Sequence, residues 1–267
     1  MSRCVRLCGL LAALVLLAGW FNPPASRQDQ DPTASAAPPE KPESVFLPIL
    51  VYHVVRPGPP PSTPMAALLT VTPDQFEEQM KYLKAGGYDS VSFAALHDYL
   101  DGRGDLPYQP VIISFDDGWE NQYRFAYPIL KKYGFSATFF VVTNYIDHEN
   151  FLTTEQLREM IANGMRVGSH SRSHPRLDAL GDDALWNEVR GSKEYLEERL
   201  GQPVDDFAYP YGGYNQRVVQ FVAAAGYKTA RTVDFGITQT LATIERLNAV
   251  TFSGFVNNFA KAAEATN

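Results

Sequence analysis

The run Val111-Ile112-Ile113-Ser114-Phe115 leads straight into Asp116-Asp117-Gly118-Trp119. A short apolar, β-branched run of this kind predicts a buried strand, here one that delivers two acids to its C-terminal mouth. Adjacent side chains on a strand point to opposite faces, so Asp116 and Asp117 share a site only where the backbone turns, which Gly118 permits. One carboxylate can then hold a metal ion while its neighbour handles a proton. Asp-Asp-Gly also suits a plain turn, so the choice depends on what else the chain carries.

It carries Gly168-Ser169-His170-Ser171-Arg172-Ser173-His174, fed by a second short predicted strand, Arg166 to Ser169. Histidines at this spacing fall on one face of a helical turn and can reach one ion. With a carboxylate from another strand end they make a three-ligand set that leaves positions open for water and substrate. Both cysteines, Cys4 and Cys8, lie near the N-terminus. A metal site in the body of the chain must therefore use His, Asp or Glu, and no disulfide can brace it.

Around these stretches strands and helices alternate. Val45 to His53 reads as a buried strand, and Thr72 caps a helix from Pro73 to about Ala85. Trp119 to Tyr133 reads as a helix closed by Gly134, and further strands fall at Ala137 to Val142, Asp206 to Tyr209, Tyr227 to Thr232 and Ala249 to Phe252. Such alternation predicts an α/β fold on a parallel sheet, and about seven or eight strands suit a barrel, with a doubly wound sheet as competitor.

Residues 1–21 join Arg3 and Arg6 to an apolar run, Leu7 to Phe21, the pattern of a signal peptide or an N-terminal membrane anchor. Residues 22–44 are Pro- and Ala-rich and predict a disordered linker; one domain, 45–260, and a tail, 261–267, follow. The expectation is an exported protein: periplasmic, extracellular or anchored facing outward. A net charge of -7 argues against nucleic acid and polyanionic substrates.

Ser114-Phe115-Asp116-Asp117-Gly118, then His170-Ser171-Arg172-Ser173-His174, then Tyr209-Pro210-Tyr211-Gly212 resemble, in this order, the signature motifs of the carbohydrate esterase family 4 polysaccharide deacetylases, the NodB-homology domain. The resemblance runs from about Val45 to Phe259. Val51-Tyr52-His53-Val54-Val55 resembles a segment of the branch that includes exopolysaccharide poly-N-acetylglucosamine deacetylases. It implies a distorted (β/α) barrel of about seven strands in a single domain. It implies Asp117, His170 and His174 as ligands of a divalent metal, zinc first, with cobalt, nickel or iron acceptable to the same donors. Asp116 matches the general base, and the Tyr211 backbone N–H matches a donor to the oxyanion.

Two departures stand out. The family's late histidine, its usual general acid, has no counterpart after His174, and His53 is the expected replacement. Ala208 stands where many members carry an arginine that orients the base; Arg246 and Arg231 are both candidate substitutes. Trp119 and Tyr209 are candidate sugar platforms, while His97 and His148 receive no role. The implied activity is N-deacetylation of an N-acetylglucosamine-containing glycan with release of acetate. An O-acetyl (xylan-type) esterase on the same site, or a non-catalytic glycan-binding protein on this fold, is the alternative.

Overall fold

The computed structural model describes residues 41–59 and 61–251. The 1–21 leader, residues 22–40 of the expected linker, residues 252–260 and the 261–267 tail lie outside the described residues.

In chain order the elements are β1 (Val45–Phe46), β2 (Ile49–Tyr52), β3 (Val54–Val55), α1 (Pro64–Leu68), β4 (Thr70–Val71), α2 (Pro73–Ala85), β5 (Asp89–Ser90) and α3 (Phe93–Leu100). Then come β6 (Pro110–Phe115), a π-helical turn (Gln122–Ala126), α4 (Tyr127–Tyr133), β7 (Thr138–Val141), α5 (Thr154–Ala162) and β8 (Arg166–Ser169). The last are α6 (Asp182–Leu200), β9 (Asp206–Ala208), α7 (Gln216–Ala224), β10 (Thr229–Phe235), β11 (Thr238–Gln239) and β12 (Leu247–Thr251).

Seven parallel strands close a barrel in the order β2-β12-β10-β9-β8-β7-β6, with β6 pairing back onto β2 and β5 appended outside β6. The barrel, rather than a doubly wound sheet, follows from that closing pair, Ile49 to Tyr52 against Ile112 to Phe115. Alternate strand residues enter two apolar clusters. Ile49, Ile112, Phe140, Ala208 and Leu247 point inward and meet Phe93, Leu96 and Leu100 of α3. Leu50, Tyr52, Val111, Ile113, Phe115 and Phe139 point outward against Phe76, Met80 and Leu83 of α2. With β6 buried on both faces, its near-continuous hydrophobic run is explained.

Two predicted elements change character. Trp119 to Tyr133 is not one α-helix: the Tyr127 N–H donates to the Gln122 carbonyl across a π turn before α4 begins. Pro128 supplies the reason, because in a continuous α-helix its ring would crowd the Arg124 carbonyl and leave it without a donor, and the wider turn relieves both. The single strand expected over Val45 to His53 is instead three pieces, β1, β2 and β3. The break after β2 sets His53 just beyond a barrel strand.

Candidate active site

The candidate ligands, base, proton donor and oxyanion donor leave the C-terminal ends of barrel strands, the end from which loops of a (β/α) barrel build a site. Asp116 and Asp117 follow β6, His53 follows β2, His170 follows β8, and Tyr209 to Tyr211 follow β9. The chain leaves β6 through two left-handed residues, Asp117 (φ 72°) and Gly118 (φ 76°), and that reversal is what lets neighbouring carboxylates share a site. A side chain at 118 would bring its Cβ to 3.0 Å from Val141 Cγ1, so the position suits glycine on two counts. The indole N–H of Trp119 donates to Asp117 Oδ2 at 3.0 Å, leaving Oδ1 turned to the histidines.

His170 and His174 converge, though not on a helical turn. The loop carrying them passes through left-handed Ser171 (φ 65°) and His174 (φ 61°), and the His174 N–H donates to Ser171 Oγ at 3.0 Å. Glu188 of α6 fastens this loop, its Oε2 accepting from the Arg172 and Ser173 N–H groups, each at 2.9 Å. His170 Nδ1 donates to the Ala208 carbonyl at 2.7 Å, which directs a bare Nε2 into the site. Burial of the His170 ring pushes its pKa down to about 4 against the pull of Asp116 and Asp117, so it is a neutral imidazole at neutral pH.

The three candidate ligand atoms are mutually 3.2 Å (His170 Nε2 to His174 Nε2), 3.4 Å (Asp117 Oδ1 to His174 Nε2) and 3.7 Å (Asp117 Oδ1 to His170 Nε2) apart. Ligands at the usual zinc distances around a tetrahedral centre stand about 3.4 Å apart. One carboxylate and two imidazoles, the latter presenting Nε2, thus fit a divalent ion with open coordination positions.

Asp116, 2% exposed, has its two oxygens divided. Oδ1 accepts from the guanidinium of Arg231, and Oδ2 lies 3.7 Å from His53 Nε2. Burial by itself would raise the Asp116 pKa, but the charge of Arg231, then His170 and His53, outweighs it and holds the carboxyl at about 2. Of the two arginines expected as substitutes, Arg231 is the one against Asp116, the candidate base. It is the register partner, on β10, of Ala208 on β9, so the guanidinium arrives from one strand over. It also lies over the Phe140 ring and donates from Nη1 to the Thr232 carbonyl at 3.0 Å.

These groups floor a cavity of about 450 Å³ whose lining includes His53, Asp116, Asp117, His170, His174 and Tyr211. Its lining also includes exposed apolar side chains: Met65 (66% exposed) and Leu68 (50%) of α1, Tyr211 (63%) and Val233. Tyr211 holds a left-handed φ of 57°, and its ring centroid is 4.5 Å from that of His174. Among the described residues its N–H has no backbone acceptor. The two expected sugar platforms are placed differently. Tyr209 borders the cavity but is buried, its hydroxyl donating to the Glu245 carbonyl at 2.7 Å. Trp119 is outside the lining, stacked on Phe151 at 4.5 Å with its N–H committed to Asp117. His97 and His148 do not line the cavity.

The sequence profile of the polysaccharide deacetylases matches residues 103–230. YxkH of Bacillus subtilis (strain 168), which bears that family's name, is 32% identical over 210 residues, covering 79% of this chain and 72% of its own. The chain belongs to the polysaccharide deacetylase family. The poly-beta-1,6-N-acetyl-D-glucosamine N-deacetylase of Staphylococcus aureus is 30% identical over 175 residues, and the match spans 60% of this chain and 59% of that enzyme. Among solved structures, the Streptococcus pyogenes deacetylase PplD in complex with acetate superposes with a TM-score of 0.71 at 32% identity, covering 78% of this chain and 92% of that one. The staphylococcal relative is by its name an N-deacetylase, a hydrolase of non-peptide carbon–nitrogen bonds, and this deacetylase, as a member of the family, is a hydrolase.

Two residues of this polysaccharide deacetylase escape a motif reading. Glu188 lies in the middle of a helix and reveals its partners only in space. Gln122 left a signal: it takes a core position in a segment whose other buried residues are Ala126, Tyr127 and Leu130. A glutamine there announces buried hydrogen bonds without naming their acceptors.

Proposed function

We propose that this deacetylase is a metal-dependent N-deacetylase that removes acetyl groups from an N-acetylglucosamine-containing polysaccharide, releasing acetate and a free amine. The observation that carries the reading is the paired arrangement of Asp116 and His53 beside the Asp117, His170, His174 cluster, with acid and base candidates 3.7 Å apart. A protein that only bound glycan would have no use for a buried carboxylate held by an arginine at the edge of a metal site. The staphylococcal relative's name supports the polymer class.

Asp117, His170 and His174 would hold the ion, and a donor set of one carboxylate and two imidazoles suits zinc. A divalent ion held there supplies Lewis acidity to the amide carbonyl and to the attacking water. Asp116, ionised throughout the neutral range, accepts the water's proton at Oδ2 while Arg231 keeps Oδ1 in place. The Tyr211 N–H meets the charge that develops on the former carbonyl oxygen. His53 passes a proton to the departing nitrogen, which an amide needs far more than an ester does. We further propose that residues 1–44 export the domain and either are cleaved or tether it facing outward.

Acetate release from poly-N-acetylglucosamine oligomers and from acetylated xylan, measured side by side with and without zinc, tests the assignment. Zinc-dependent release from the amide substrate is expected, with loss of at least about 100-fold in Asp116→Ala. Release from xylan alone would turn the assignment to an esterase, and turnover retained in Asp116→Ala would sink it.

A further inference from the structure

The turn that opens the segment after β6 lies against both groups assigned to proton transfer. Gln122 is completely buried, and its Nε2 donates to two main-chain carbonyls at once: that of His53 at 2.7 Å and that of Asp116 at 2.6 Å. Those residues stand one position beyond paired strand ends, since Tyr52 of β2 is in register with Phe115 of β6. The ladder between the two strands finishes where the Asp116 N–H donates to the Tyr52 carbonyl at 2.9 Å. Past that point the seam is continued by side chains: Gln122 as described, and Asn121, whose Oδ1 accepts from the Val55 N–H at 2.9 Å. The π turn starting at Gln122 places both amides on this seam.

The arrangement is costly. Among the described residues the buried Gln122 Oε1 has no hydrogen-bond partner, a cost that a side chain present only to fill space would not carry. Packing therefore does not account for a glutamine here, whereas bridging two carbonyls does.

We infer that Gln122 is a positioning residue: through the two carbonyls it bridges, it sets where the His53 imidazole stands relative to the Asp116 carboxylate. The inference rests on the reading of His53 as proton donor to the leaving nitrogen. A donor displaced by a fraction of an ångström to an ångström loses much of its effect, and general acid catalysis is worth far more to an amine leaving group than to a good alkoxide or phenolate. Gln122 should therefore matter by leaving group, which a purely structural residue would not.

The experiment compares kcat and KM of Gln122→Met, Asn121→Ala and His53→Ala on N-acetylglucosamine oligomers and on 4-nitrophenyl acetate, with zinc content and circular dichroism recorded for each. Gln122→Met is expected to lower kcat on the amide by about 10- to 100-fold at near-unchanged KM, and on the ester by less than about threefold, with full zinc content. Asn121→Ala is expected to shift the same ratio in the same direction by less, and it decides the matter alone if Gln122→Met does not fold. Equal losses on amide and ester in the folded variants, or no loss, overturn the inference while a selective His53→Ala leaves the donor reading standing. Equal losses in His53→Ala overturn the donor reading, and the inference with it.

Discussion

Ala208 and Arg231 are single residues whose meaning depends on each other. Where Ala208 on β9 offers no polar group, its register partner Arg231 on β10 donates to Asp116, so the candidate base is held from the adjacent strand. Trp119 is a similar case of reassignment. Its indole holds Asp117 Oδ2, so Trp119→Phe, which keeps the stack on Phe151 and loses the N–H, is expected to weaken zinc binding about tenfold or more, read by competition with a chelating dye. At the start of β9, Asp206 is buried and accepts from Thr229 Oγ1 at 2.8 Å, and burial pushes its pKa up to about 6. A carboxyl whose folded pKa is raised favours the folded state most below its ordinary value, and that contribution is lost as pH rises through about 6. Asp206→Asn is therefore expected to stabilise the domain by about 1–3 kcal/mol at pH 8. The gain should vanish near pH 4, where both proteins carry a neutral side chain. Urea midpoints at the two pH values check it; a gain of equal size at both would show that the charge is not its source.

Among elements, the short helix α1 and the π turn have the least obvious sequence signatures and the most direct bearing on the cavity. α1 presents Met65 and Leu68 to solvent, and both line the cavity together with Tyr211 and Val233. Apolar side chains there suit the C–H faces of sugar rings, remote from the bond that breaks. Met65→Ala with Leu68→Ala is expected to raise KM for polymer about three- to tenfold at near-constant kcat, the mark of binding shared by ground and transition states. A fall in kcat of the same size instead would place α1 in the chemistry. The helices that packed as their caps predict are those with strong local signals: Thr72 closes a capping box with Gln75 at the start of α2, and Gly134 and Gly201 end α4 and α6 in left-handed conformation. The segment over Gln122 to Ala126 departs because Pro128, four residues beyond Arg124, makes a local demand that an apolar period does not display.

At the scale of the molecule, the candidate ligands found among the described residues all lie in the barrel domain. Residues 45–267, purified in chelator, are expected to keep their circular dichroism, to lose acetate release, and to recover it on adding one equivalent of zinc. Recovery of activity without any divalent ion would overturn the metal reading. Expression of the full chain followed by cell fractionation tests the proposed export; a cytoplasmic product would count against it. Among the described residues no helix is long and apolar enough to cross a membrane.

How much of this was legible in one dimension depends on whether the cause was local. The β6 run and the acids at its end, the His170 and His174 pair, the helix caps and the strand–helix alternation all act over a few residues, and the sequence by itself determined them. Closure of β6 onto β2, the choice of Arg231 over Arg246, the turn of Trp119 toward Asp117 and the bridge from Gln122 to His53 and Asp116 were decided only in the tertiary structure. Each of these joins residues from different strand ends, or turns on which way one backbone step points, and neither strand register nor backbone hand is encoded at any single position.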